Sequence, residues 1–199
     1  MIVLGLDTAL TACSVAVIDR AAVLASRSEP MTRGHQERLA PMVAEVMAEA
    51  GITFDALDRV GVTIGPGGFT GLRVGLAFVK GLAVALDIPC VGVTTLAALA
   101  ASSGAAAIDA KRGEIYLLIE GGEPEAVTVD DAVARLATAG PVTLGGSAAP
   151  MLAEHLPNVT VAQLDYPDPA TVARLAAAVS DPQPPRPLYL RAPDARLPS

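Results

Sequence analysis

The chain has 199 residues and a net charge of −7; 52% of its residues are apolar and only 3% aromatic. Packing must rest on Ala, Val and Leu, which supply one substantial core or two small lobes around a cleft and argue against a disordered chain. The acidic balance, with no basic run and no platform of stacking aromatics, argues against a protein that grips nucleic acid unaided.

Residues 2–6, 13–18 and 22–26 read as three short strands joined by tight turns, an antiparallel meander. A helix is predicted over 35–50, where Leu39, Met42, Val43, Val46, Met47 and Ala50 form one apolar stripe. Pro41 should kink or tighten its first turns, and Gly51 is placed to end it. A buried-type strand at 60–64 runs into the glycine-rich loop 65–71, and a long helix, apolar on nearly all sides, continues to about 86. Such a helix must be covered by its own fold or by a partner.

Strands at 90–93, 105–108, 115–119 and 142–144 follow, with helices over 95–101, 129–137, 148–156 and 170–179. The uncharged run 88–108 is nominally long enough to span a bilayer. Pro89, Gly92, Thr94, Thr95, Ser102, Ser103 and Gly104 interrupt it, so it reads as strand, helix and strand, with no membrane span. From 181 onward the chain is too rich in proline for regular structure and is expected to lie extended over the surface. No internal repeat stands out. The element order predicts a mixed five-stranded sheet flanked by helices, with residues 1–101 and about 166–199 in one lobe and 102–165 in a smaller second one.

Cys13 and Cys90 lie far apart in apolar surroundings, as buried thiols of a reducing compartment. The opening MIVLGLDT has no basic region ahead of its apolar run, so a signal peptide is not expected and the chain is placed in the cytoplasm.

Three places could carry chemistry. The loop holding Gly65, Gly67, Gly68, Thr70 and Gly71, followed by Arg73, fits either an anion site at a helix N-terminus or a tight turn packing that helix on the sheet. It is not a P-loop, and Thr70 stands at the third glycine of a dinucleotide fingerprint. Asp7-Thr8 fits either a carboxylate holding hydrated Mg²⁺ beneath phosphates or a turn. Asp109, Lys111, Arg112 and Glu114 share one turn, which either meets a polar partner or is solvated. His35 and His155 form no metal-binding pair, no metal site is expected, and no GxSxG elbow is present.

Five stretches in order carry a resemblance. They are MIVLGLDTALTACSVAV (1–17), Arg33-Gly34-His35-Gln36-Glu37-Arg38-Leu39-Ala40-Pro41, the Gly65–Gly75 run GPGGFTGLRVG, Asp109–Tyr116, and Pro187-Leu188-Tyr189-Leu190-Arg191. Together they resemble the TsaB (YeaZ) family, the dimerisation subunit of the bacterial machinery that makes threonylcarbamoyladenosine in tRNA. The resemblance implies an actin/Hsp70/sugar-kinase (ribonuclease H-like) fold and pairing with the catalytic paralogue TsaD. It also implies recruitment of the ATPase TsaE and contact with tRNA only through the complex.

Where that paralogue carries two metal-binding histidines, this chain has Thr95 and Leu99, so the resemblance implies no catalytic residues and no enzyme activity of its own. No glycine follows Asp7, so ATP or ADP with Mg²⁺ is expected only in the complex. The alternative is an ATP-dependent phosphotransferase or a glycoprotease-like enzyme of the same superfamily. The partner interface is expected on the helices at 35–50 and 70–86, through His35, Leu39, Met42, Val43, Val46, Leu72, Leu76, Val79 and Lys80. Leu72, Leu76 and Val79 are expected to point outward. Without the paralogue, the same surface could form a homodimer.

Overall fold

A computed structural model describes residues 1–191. The apolar runs at the start of the chain become β1 (Ile2–Asp7), β2 (Ala12–Asp19) and β3 (Ala22–Pro30). They are followed by α1 (His35–Ala50), β4 (Arg59–Thr63), α2 (Phe69–Leu86) and β5 (Cys90–Val93). The five strands form one mixed sheet in the order β3-β2-β1-β4-β5, with β1, β2 and β3 antiparallel and β1, β4 and β5 parallel.

β1 and β2 are apolar at nearly every position because both faces of this sheet are covered. Leu4, Leu6, Val15 and Val17 face α1 and α2, whereas Val3, Ala16 and Ile18 face a helix from the end of the chain. α1 runs unbroken through Pro41 and ends at Gly51, which adopts the left-handed conformation. Its charged edge is tied to β3 by Arg38, which donates to Glu29 and to Glu45.

The chain continues through α3 (Thr95–Ser103), β6 (Gly104–Lys111), β7 (Glu114–Ile119), β8 (Glu125–Thr128), α4 (Val129–Thr138), β9 (Val142–Gly145), α5 (Ala149–Ala153), β10 (Val159–Val161) and α6 (Pro169–Ala178). A second five-stranded sheet forms in the order β10-β9-β6-β7-β8. Read from the other edge, with strands renumbered within each half, this order and its pattern of parallel and antiparallel pairs repeat the first sheet. The sequence shows no repeat, yet the topology is duplicated.

The last helix of each half crosses over: α3 packs on β6, β7 and β9, while α6 packs on β1, β2 and β4. Arg59 fixes α6 by donating from Nη1 to the carbonyls of Ala176 and Val179 at 2.7 and 2.6 Å, satisfying the free acceptors of that helix end. The joint between the sheets is a cluster of Leu96, Leu99, Ala106, Ile108 and Leu118.

Several expectations change. β8, β10 and a short 3₁₀ turn at Phe54–Ala56 carry too few residues to show a period. The helix expected over 148–156 ends at Ala153. The 88–108 run divides into the end of the α2–β5 connection, β5, α3 and the start of β6. α2 is the one helix among the described residues long and apolar enough to cross a membrane by length and composition. The tail is irregular as expected, but Pro185 is buried and Leu190 packs into the joint, so it does more than lie on the surface. Residues 192–199 of that expected tail lie outside the described residues.

Candidate functional site

The end of β1 places Asp7 in a fully buried position. Its Oδ1 accepts from Thr63 Oγ1 at 2.7 Å and from the Ala9 N–H at 3.1 Å. Oδ2 is buried without a hydrogen-bond partner among the described residues. Burial pushes the Asp7 carboxyl up to about 6, against the lowering by its bonds to Thr63 and Ala9. A buried carboxylate with one bare oxygen is costly, the kind of feature that clusters at functional sites.

The glycine-rich loop lies directly on this turn. Thr8 Oγ1 donates to Gly71 O at 2.8 Å, and the Gly68 N–H donates to Ala9 O at 2.7 Å. A Cβ on Gly71 would lie 2.0 Å from Thr8 O, and one on Gly67 would lie 2.4 Å from Ala9 O. These glycines are therefore needed for close packing of the loop on the turn after β1. Of the two readings open in the sequence, the tight turn has its geometry here. The Gly68 N–H is engaged by Ala9 O within this turn.

Beside the loop is a pocket of about 540 Å³ at the starts of α1 and α2, lined by Thr8, Arg33, His35, Gln36 and Thr70 among others. Residues at the N-terminal ends of both helices line it, and a helix N-terminus favours an anion. His35 is nine-tenths buried, and its Nε2 has no partner among the described residues. Asp7, Thr8, Gly67, Gly68, Thr70 and Gly71 are thus brought together around the turn, with Thr8 and Thr70 on the pocket wall, whereas Gly65 lies against Leu188 of the tail and accepts from the Thr95 N–H. Arg73 is not: its guanidinium carbon sits 3.7 Å over the Phe69 ring, in the neighbouring groove between α1 and α2.

The interface residues expected from the sequence need correction. Leu39, Met42, Val43, Val46, Leu76 and Val79 belong to the core under the first sheet, and Leu72 is 2% exposed. They cannot be reached without pulling the helices off the sheet. Leu72, Leu76 and Val79 point inward because Gly71 and Gly75 bring that face of α2 against Thr8. Of the expected residues on α2, Lys80 is exposed, and it shares the outer face with Phe69, Ala77 and Val84, the last 83% exposed. On α1 the outer face carries Ala40, Pro41, Ala44 and Ala48. Glycines four residues apart were the signal that sets the phase of α2.

The second expected cluster forms the tip of the β6–β7 hairpin. Lys111 Nζ pairs with Asp109 Oδ2 at 2.6 Å, and the Lys111 hydrogen bonds hold the Asp109 carboxyl below its ordinary value. Lys111 and Arg112 adopt positive φ angles of 65° and 58°, uncommon for such side chains. Glu114 accepts from Arg191 Nη1 at 2.7 Å, a tail contact that the sequence does not reveal. Cys13 is buried and its thiol is pushed up to about 11, chiefly by burial. Among the described residues no group of three or more His, Cys, Asp or Glu is gathered as for a metal.

Two duplicated mixed sheets with crossed-over helices define the class: an α/β protein of the actin/Hsp70/sugar-kinase-like fold. The activator of 2-hydroxyisocaproyl-CoA dehydratase from Clostridium difficile shares the fold at a TM-score of 0.57 and 10% identity, covering 88% of this chain and 94% of that one. Residues 23–189 match the family described as TsaD: tRNA N6-adenosine threonylcarbamoyltransferase. YeaZ from Pseudomonas aeruginosa superposes with a TM-score of 0.75 at 30% identity, covering 88% of this chain and 90% of that one. The tRNA threonylcarbamoyladenosine biosynthesis protein TsaB of Escherichia coli is 37% identical over 58% of this chain and 53% of its own length. The uncharacterized protein Rv3421c of Mycobacterium tuberculosis is 36% identical over 98% of this chain and 93% of its own. The chain belongs to this family, in its TsaB/YeaZ branch, and its match spans about half the length of the curated TsaB relative.

Proposed function

We propose that this chain is a non-catalytic subunit of the machinery that makes threonylcarbamoyladenosine in tRNA. It pairs through the outer faces of α1 and α2 with a catalytic member of the same family, TsaD, to which the ATPase TsaE is recruited. The observation that carries the reading is the outward face of α2, where Phe69, Ala77 and Val84 lie exposed beside the small residues of α1. Exposed apolar side chains on α2 beside the small residues of α1 suit packing against another helical pair. At the positions where the catalytic relative is expected to bind metal, this chain has Thr95 and Leu99, both buried, the leucine within the joint. A leucine offers a metal no ligand.

ATP or ADP with Mg²⁺ belongs, on this reading, to the assembled pair. The isolated chain offers the pocket wall of Thr8, Arg33 and Thr70, and the partner must supply the remaining contacts. tRNA is held chiefly by the other subunits, and the protein works in the cytoplasm.

The test is threonylcarbamoyl transfer to tRNA by the catalytic subunit and the ATPase, with and without this chain. Activity that appears only on adding the chain supports the proposal; equal activity either way refutes it. Val84→Glu should weaken pairing at least tenfold while the circular dichroism spectrum stays native, because the change puts a charge into a desolvated face. Micromolar binding of ATP and Mg²⁺ by the isolated chain in a calorimeter would instead favour a phosphotransferase.

A further inference from the structure

The last described segment does not hang free. Leu188 donates its N–H to Ile64 O at 2.7 Å, extending the hydrogen bonding at the end of β4. Its carbonyl would lie only 2.8 Å from a Cβ on Gly65, so the glycine there makes room for the tail. One residue on, the Tyr189 ring is 6.3 Å from that of Phe69 at the start of α2. Leu190 then enters the joint with Leu96 and Leu99 of α3 and Ile108 and Leu118 of the second sheet. Arg191 finishes the crossing, donating to Glu114 Oε2 at 2.7 Å and to Ala110 O at 3.2 Å on the β6–β7 hairpin.

Four consecutive residues thus touch, in order, the first sheet, the start of α2, the joint and the second sheet. A main-chain hydrogen bond, an apolar plug and an ion pair anchor them at separate points. Separating the sheets would expose Leu190 and break the Arg191 pair. We propose that residues 188–191 are a strap that limits opening of the two sheets and holds the α1–α2 face and the β6–β7 hairpin in one fixed arrangement. The hairpin needs such a tie, because its tip carries three successive residues at positive φ and its neighbour β8 is only four residues long.

The experiment is hydrogen exchange followed by mass spectrometry on the full chain and on two variants, Leu190→Ser and Arg191→Gln. Leu190→Ser removes the plug; Arg191→Gln keeps a polar side chain and removes the charge that pairs with Glu114 together with the guanidinium bond to Ala110 O. Exchange in β6 and β7 should quicken about tenfold or more in the first and severalfold in the second, with β1 and β2 unchanged, as a local opening requires. Unchanged exchange in the hairpin of both variants, or an equal rise in β1 and β2, would overturn the strap.

Discussion

The two halves share one topology and use it differently. In the first, the loop after β4 packs on the turn after β1: the Gly68 N–H donates to Ala9 O, and a Cβ on Gly67 would lie 2.4 Å from that oxygen. In the second, the loop after β9 packs on β6: the Ala148 N–H donates to Ala107 O, and a Cβ on Gly146 would lie 2.3 Å from it. The scaffold contacts match, but the surroundings do not. The first half has helices of 16 and 18 residues that bury its turn, whereas the second has helices of 10 and 5 that leave its hairpin exposed. The longer helices of the first half bury the carboxylate at the end of its first strand, whereas the counterpart Asp109 lies near the surface.

The sharpest way to break this equivalence is to fill both glycine contacts. Gly67→Ala should cost about 3 kcal/mol, at the upper end for overpacking against backbone, and Gly146→Ala more, because Gly146 also holds φ 102°. Denaturant melts that show one of them tolerated would mean that only one half depends on the close approach. Gly81→Ala, on α2 with open space around it, should instead gain about 0.5–1 kcal/mol.

Next come the carboxylates near the ends of the two first strands. Asp7 has a folded value raised from 3.8 to about 6, so the folded state holds its proton more tightly than the unfolded chain. Stability should therefore fall as pH rises from about 4 to about 6, by about 3 kcal/mol in all. Asp109 is held low by Lys111, the opposite sign, and lies at the surface, where pairing contributes little. Urea titrations from pH 4 to 7 should show the slope flattened in Asp7→Asn and retained in Asp109→Asn. A slope that survives Asp7→Asn would place the titration elsewhere.

The smallest effect lies in the turns of the second hairpins. Arg20 between β2 and β3 has φ 54°, while its counterpart Gly121 between β7 and β8 has φ 80°. Arg20→Gly should gain up to about 1 kcal/mol and Gly121→Ala should lose about as much. Thermal melts moving in the same direction for both would end the comparison.

Much of the first half was legible. The stripe from Leu39 to Met47 repeats every three or four residues, so the extent of α1 follows from the sequence, but not what covers the stripe: a partner is expected there, and the first sheet covers it. α2 resists the same reading: it is apolar on all sides, so Leu72, Leu76 and Val79 could be assigned to either face. The order of five motifs pointed to the family, and the glycine run to a strand–loop–helix. It did not say whether those glycines cradle an anion or admit a neighbouring backbone, because both uses need a missing Cβ.

Residue type and order along the chain carry the strand runs, the helix at His35 and the resemblance to the family, all features of local sequence. Only the tertiary structure decided the duplication of the sheets, the crossing of α3 and α6, the burial of Asp7 and the tie from Arg191 to Glu114. Each of these joins residues far apart in the chain, and Arg191 and Glu114 are separated by 77 positions. No periodicity links such pairs; the fold sets the distance between them.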